Sequence, residues 1–270
     1  MIDTHCHLDF DDFQPDRSVA REGNPSGVPG VLARAKAAGV DGCITICTTT
    51  HGAARLASIA SSHERVWFSA GVHPLYSDEG PHEWNYLKVA ALHPKCVAFG
   101  ELGLDNHYKE PARTLQQSVL AEQLAHLEAW RKEGIAKPVV IHCRDAFDDL
   151  LPILGKSTLP RDGYVFHCFT GTPEEARRVL DFGAMISFTG VATYKTGQGV
   201  RDAAALVPAD RIMIETDAPF LSPEPHRSTR PCEPWMASLT AKAIAAVRGE
   251  EWETFHHQIN ANTARFFGVQ

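Results

Sequence analysis

Eight short apolar runs, set along 270 residues and separated by segments of helical periodicity, predict an α/β fold, a single-domain (β/α)8 TIM barrel spanning residues 1–270. The length suits that fold. No low-complexity tract or block of like charge interrupts the alternation to mark a domain boundary, and an open doubly wound sheet would usually need fewer strands.

The elements follow in order from two patterns, compact apolar runs for strands and three- and four-residue apolar spacing for helices. Residues 1–5 form the first expected strand. The chain from Arg21 to Gly30 then reads as a turn-rich loop on the side where substrate would enter, because Pro25 and Pro29 oppose a regular helix. Helical spacing begins at 31–38. Strand 42–47 precedes helix 53–62, strand 66–72 precedes helix 82–92, and strand 96–101 precedes the long helical segment 111–133. Strand 138–142 leads into helix 146–154, strand 164–167 into 173–182, and strand 184–188 into 199–206. Strand 211–216 comes last, and helices 234–247 and 251–267 close the chain.

Composition excludes several classes. With 44% hydrophobic and 22% charged residues the chain is neither disordered, collagenous nor a coiled coil. Its start, MIDTHCHLDF, lacks a basic and apolar leader, and no apolar run reaches the roughly 18 residues that span a membrane. Seven scattered cysteines without a C-x-x-C pair argue against a disulfide framework, so a cytoplasmic location is expected. The formal charge of −7 supplies no broad footprint for nucleic acid. A polyanionic substrate would have to be captured locally.

The 14 histidines point toward metal chemistry, because several end apolar strand-like runs. His5-x-His7 closes the first strand, where alternation should turn both imidazoles to one face and Thr4 and Cys6 to the other. Glu101 ends the fourth strand in FGELGLD, His142 the fifth in VVIHCRD and His167 the sixth in YVFHCF, and Asp217 follows the eighth in IMIETDAP. In a β/α barrel these points converge on one face. Four imidazoles and two carboxylates suit two divalent cations, zinc, manganese or magnesium, bridged by one carboxylate. Glu101, central in strand order, is the expected bridge, with Asp217 as general base. Cys6, Cys143 and Cys168 each follow a candidate ligand, so alternation should turn them toward the helices as packing residues. His73, in GVHP, faces the same mouth and suits a phosphate oxygen or a supporting position, and Arg144 suits either a phosphate or a pair with Asp145. His51, His63, His82, His93, His126, His256 and His257 sit on helix-like surface segments.

HCHLD, GVHP, GELGLD, VVIHCRDA, HCFTG and ETDAPFLSP, in this order and spacing, resemble the TatD family of metal-dependent deoxyribonucleases among the amidohydrolase-like barrels. The resemblance covers nearly the whole chain. It implies a TIM barrel, a cytoplasmic location and phosphodiester hydrolysis, with His5, His7 and Asp217 on one metal, His142 and His167 on the other, and Glu101 bridging. It also points to 3'-5' exonuclease action on single-stranded DNA or RNA. The chain departs from the family at Cys232-Glu233-Pro234, where Asn-Glu-Pro is usual, and in the longer loop from Arg21 to Gly30.

The expected substrate is therefore single-stranded nucleic acid or a small phosphodiester, with no membrane and no obligate protein partner. A rival is hydrolysis of another ester or an amide, such as D-aminoacyl-tRNA deacylation. Related amidase barrels often bridge their metals with a carboxylated lysine, and FGELGLD contains none. A catalytically silent binding protein would be expected to have lost one or more ligands, and all six are present.

Overall fold

In the computed structural model, which describes residues 1–13 and 27–269, eight parallel strands lie in chain order in one sheet. They are β1 (Ile2–Cys6), β2 (Gly42–Thr45), β3 (Val66–Ala70), β4 (Cys96–Asp105), β5 (Val139–Arg144), β6 (Tyr164–Phe166), β7 (Met185–Phe188) and β8 (Ile212–Ile214). Between and after them run α1 (Gly27–Ala37), α2 (Ala53–Ser62), α3 (Trp84–Ala91), α4 (Arg113–Lys132), α5 (Phe147–Lys156), α6 (Pro173–Phe182), α7 (Gln198–Leu206), α8 (Ala237–Arg248) and α9 (Trp252–Phe267). This is the (β/α)8 barrel that the alternation predicts.

Strand alternation divides the core into two clusters. Ile2, Ile44, Val140, Val165, Met185 and Met213 pack inside the barrel, where Phe267 and Val269 from the chain end join them. Their neighbours along the strands, such as Val139, Ile141, Tyr164, Phe166, Ile212 and Ile214, pack outward with the helices. Each large apolar side chain buried this way contributes roughly 1.5–3 kcal/mol. That apolar floor leaves the other end of the barrel free to carry polar groups.

The ladder does not continue from β8 to β1. One isolated bridge, Cys6 to Ala218, is found there among the described residues, and single bonds do the rest. The His7 N–H donates to the Ala218 carbonyl at 2.7 Å and the Asp217 N–H to the His5 carbonyl at 2.9 Å. Asp3 accepts the Thr216 N–H at 2.9 Å and the Thr216 hydroxyl at 2.6 Å. The bonds that close the barrel thus also fix the backbone of three candidate ligands.

Two strands depart from regular pairing. On β1, Asp3 pairs with Cys43 but Cys6 with Thr45, so β1 carries one extra residue. The bulge shifts the alternation: Ile2 packs inside and Cys6 outside. Thr4, expected to face the helices beside Cys6, instead donates its hydroxyl to the Ile214 carbonyl (3.1 Å) and to Glu215 (3.3 Å). β4 runs four residues beyond its expected end at Glu101, and β5 two beyond His142. Close approach of β3, β4 and β5 depends on glycine. A Cβ at Gly71 would run into Gly100, and one at Gly103, whose φ is +150°, would run into the His142 carbonyl oxygen.

Helix α1 corrects the loop reading. It begins at Gly27, and Pro29 stands in its first turn, where the missing N–H removes no helical bond. Residues 21–26 of the expected loop lie outside the described residues.

Gly103→Ala is expected to push β4 from β5 and lower stability by about 1–3 kcal/mol, read by denaturant unfolding, with loss of metal uptake. A second expectation concerns pH. Burial pushes the Asp3 carboxyl up to about 8, against the Thr216 bonds. In unfolded chains an Asp titrates near 4, so between about 4 and 8 the folded state holds the extra proton. Stability should therefore fall as pH rises through that window. Asp3→Asn should flatten this part of the profile, and parallel curves for the two proteins would refute the assignment.

Candidate metal centre

The C-terminal strand ends surround a cavity of 570 Å3 whose walls include His7, His73, Glu101, His142, His167 and Asp217. Five of the six ligand candidates line it, His73 joins them, and His5 lies fully buried behind Glu101. Glu101, 1% exposed, stands at the centre. Its Oε2 lies 3.3 Å from His5 Nε2. Its Oε1 lies 2.5 Å from His167 Nε2, 2.7 Å from His142 Nδ1 and 3.3 Å from His73 Nε2. The two oxygens thus face two sets of imidazoles. Asp217 Oδ1 lies 3.6 Å from His5 Nε2 and 3.5 Å from His7 Nε2.

The charges explain how such a cluster survives burial. Burial opposes ionisation of Glu101, but His167, His73 and His5, with the His142 hydrogen bond, hold its carboxyl well below the usual range. Burial likewise opposes protonation of His167, yet the adjoining Glu101 and Glu215 carboxylates raise it well above an ordinary imidazole. His5 is lowered, first by burial and then by His167, whose ring stacks on it with centroids 3.9 Å apart. Asp217 is lowered by the His7 hydrogen bond and nearby imidazoles, against its burial.

The donor set fits divalent cations. Both ring nitrogens of His5 are buried without an aligned hydrogen bond. Two ligands about 2.0–2.2 Å from a shared ion stand roughly 3.3–3.6 Å apart, which matches His5 to Glu101 Oε2 (3.3 Å), His5 to Asp217 (3.6 Å) and His7 to Asp217 (3.5 Å). The outer imidazole nitrogens are also provided for. His7 Nδ1 lies 3.2 Å from the Ile46 carbonyl, His142 Nε2 lies 3.1 Å from Asp105 Oδ2, and His167 Nδ1 lies 3.4 Å from Glu215 Oε1. Such partners orient ligand rings and leave the inner nitrogen to the ion. His5, His7, Asp217 and Glu101 Oε2 could hold one cation, and His142, His167 and Glu101 Oε1 a second.

His73 plays a different part. The Leu75 N–H donates to its Nδ1 at 3.0 Å, and burial pushes the imidazole down to about 4. The neutral ring therefore carries its proton on Nε2 and is a donor toward Glu101, within the group His73, Glu101 and His142 whose ligand atoms lie close together. Arg144 sits at the rim, its guanidinium 5.2 Å from the Tyr108 ring centroid. The pair with Asp145 does not form; Asp145 lies 3.5 Å from His107.

Asp105 and Glu215 are the residues that sequence reasoning missed. Both stood inside quoted motifs, four residues after Glu101 and two before Asp217, at spacings that share a strand face. Cys168 corrects another expectation. Its φ of +44° breaks the alternation, and it lines the cavity with its Sγ 3.5 Å from the Thr189 hydroxyl. Cys232, at the departure from the family pattern, is fully buried against Met236 (3.7 Å), while Glu233 forms a two-pronged ion pair with Arg34 at 2.7 and 2.9 Å.

With this geometry in place, likeness to known proteins gains meaning. A family model described as TatD related DNase matches residues 2–268. "Uncharacterized metal-dependent hydrolase YcfH" of Escherichia coli K12 is 36% identical over 269 residues, covering 100% of this chain and 96% of that protein. "3'-5' ssDNA/RNA exonuclease TatD" of Enterobacter lignolyticus is 36% identical over 245 residues, 88% of this chain and 92% of that one. The crystal structure of the TatD homologue YJJV of Escherichia coli K12 superposes with a TM-score of 0.88 at 29% identity, covering 100% and 98% of the two chains.

Reconstitution with zinc, manganese or magnesium is expected to load about two ions per chain, counted by elemental analysis. Glu101→Gln should weaken both ions. Asp217→Asn should keep much of the second ion while abolishing turnover, because it touches one imidazole pair alone. Equal losses of metal in the two variants would show the roles to be misassigned.

Proposed function

The chain belongs to the TatD related DNase family, and on that premise we propose that this metal-dependent hydrolase trims single-stranded nucleic acid from an end, with His5, His7, Glu101, His142, His167 and Asp217 as the residues that would hold two divalent cations. The observation that carries the reading is the division of labour between the Glu101 oxygens, one toward His5 and the other toward His142 and His167. That arrangement suits a bridge.

Bound divalent cations supply Lewis-acid charge to a phosphoryl group and acidify water at neutral pH. The protein supplies position and proton transfer. Asp217 is the proton acceptor because its side chain is 16% exposed to the mouth, whereas that of Glu101 is 2% exposed and surrounded. His73 Nε2–H is a neutral donor beside Glu101 Oε1, placed for a phosphate oxygen entering the same space. Arg144, partly buried at the rim, offers a guanidinium to a neighbouring phosphate.

The end-trimming reading rests on size and charge. A mouth of 570 Å3 has the capacity of a small-molecule pocket and takes a terminal nucleotide, not a duplex. With a formal charge of −7 the protein must grip few phosphates at once. The relative named 3'-5' ssDNA/RNA exonuclease supports the same direction of attack. No described helix is long and apolar enough to cross a membrane.

The test is a time course on end-labelled linear single strands, circular single strands and blunt duplex. Linear strands should shorten from the 3' end while circles persist. The log–log salt slope of binding should be about −2, as two or three phosphate contacts require. Rapid cutting of circles, or a slope steeper than about −5, would overturn the reading.

A further inference from the structure

Three aromatic side chains are exposed among the described residues, and two of them, Phe220 (49%) and Tyr108 (48%), line the mouth. Their placement is specific. Phe220 follows β8 and Tyr108 follows β4, strands four apart in an eight-strand order and so on opposite sides of the barrel. Each is tied to the cluster through its backbone: the Phe220 N–H donates to the Asp217 carbonyl at 2.9 Å, and the Tyr108 N–H to Asp105 Oδ1 at 3.3 Å.

The aromatic neighbours of both rings meet them edge-on, Phe10 and His7 at Phe220 and His107 at Tyr108. Phe220 meets Phe10 edge-on, centroids 6.0 Å apart at 77°, and Phe10 in turn stacks on His7 at 4.6 Å. Tyr108 carries the Arg144 guanidinium over its ring. Arg144 is also the one Lys or Arg among the described residues lining this cavity. Side-chain cations on the described wall therefore add little to the few phosphate contacts of the proposed metal centre. Stacking adds to the contacts made by the cations, His73 and Arg144, and it tolerates any base because every base has a π-face.

We propose that Phe220 and Tyr108 are nucleobase-stacking platforms on opposite sides of the cluster, gripping the bases that flank the scissile phosphate. The proposal rests on the single-stranded nucleic acid reading above and adds its means of recognition. Base-bearing ends should be preferred over ends of identical backbone that lack bases.

The experiment uses the metal-loaded enzyme and two single-stranded oligodeoxynucleotides, one ordinary and one whose two 3'-terminal nucleotides are abasic tetrahydrofuran residues. The ordinary end should be cut with a kcat/KM about tenfold higher, mostly through KM. Phe220→Ala and Tyr108→Ala should each lose about fivefold or more on the ordinary end and less than about twofold on the abasic end, with Phe220→Trp restoring the preference. Efficient cutting of both ends at equal rates, or equal losses on both in the variants, would overturn the stacking proposal and leave the nuclease reading standing. Failure of the unaltered enzyme to cut either oligonucleotide would remove both.

Discussion

A carboxylate with almost no access to solvent, Glu101, is the constraint around which the polar end of the barrel is arranged. An ionised carboxylate buried in this way is tolerated only with compensating charge or hydrogen bonds at both oxygens. Four imidazoles supply them, from β1, from the loop after β3, from β5 and from the chain after β6. Each must arrive with its inner nitrogen correctly turned. Asp105, Glu215 and the Ile46 carbonyl then follow as orienting partners, and the glycines between β3, β4 and β5 follow from the need to bring Glu101 close to His142.

Barrel closure and site assembly are the same event. The β8–β1 seam holds through bonds to the backbone of His5, His7 and Asp217 and through the Asp3–Thr216 pair. Opening that seam would separate the imidazole pair from its carboxylate. The apolar plug of Met213, Phe267 and Val269 lies below it. Hydrophobic burial stabilises one end of the barrel while charge is concentrated at the other.

The electrostatics are local, not global. The protein is acidic overall, and four carboxylates, Glu101, Asp105, Glu215 and Asp217, meet at the cluster. An anionic substrate approaching such a site depends on cations held within it. The exposed aromatic rings at the rim offer attraction of a different kind, insensitive to the sign of the surface charge.

Much of this was legible in the sequence because strand ends of a parallel barrel converge whatever fills the loops. Once eight apolar runs are in place, His5, His7, Glu101, His142 and His167 fall at strand ends on one rim, and Asp217 follows the last strand onto it. What periodicity cannot carry is a local break in the period or the use of a second nitrogen. The β1 bulge moved Thr4 inward, a positive φ turned Cys168 into the mouth, and β4 continued to Asp105. Asp105 and Glu215 act through the far side of an imidazole, a relation that exists only once both strands are folded side by side. The proton on His73 was likewise decided by a turn, because the Leu75 N–H occupies one ring nitrogen and leaves the other to donate. Residue identity and spacing determined which groups could meet; backbone hydrogen bonding between distant segments decided how each one faces.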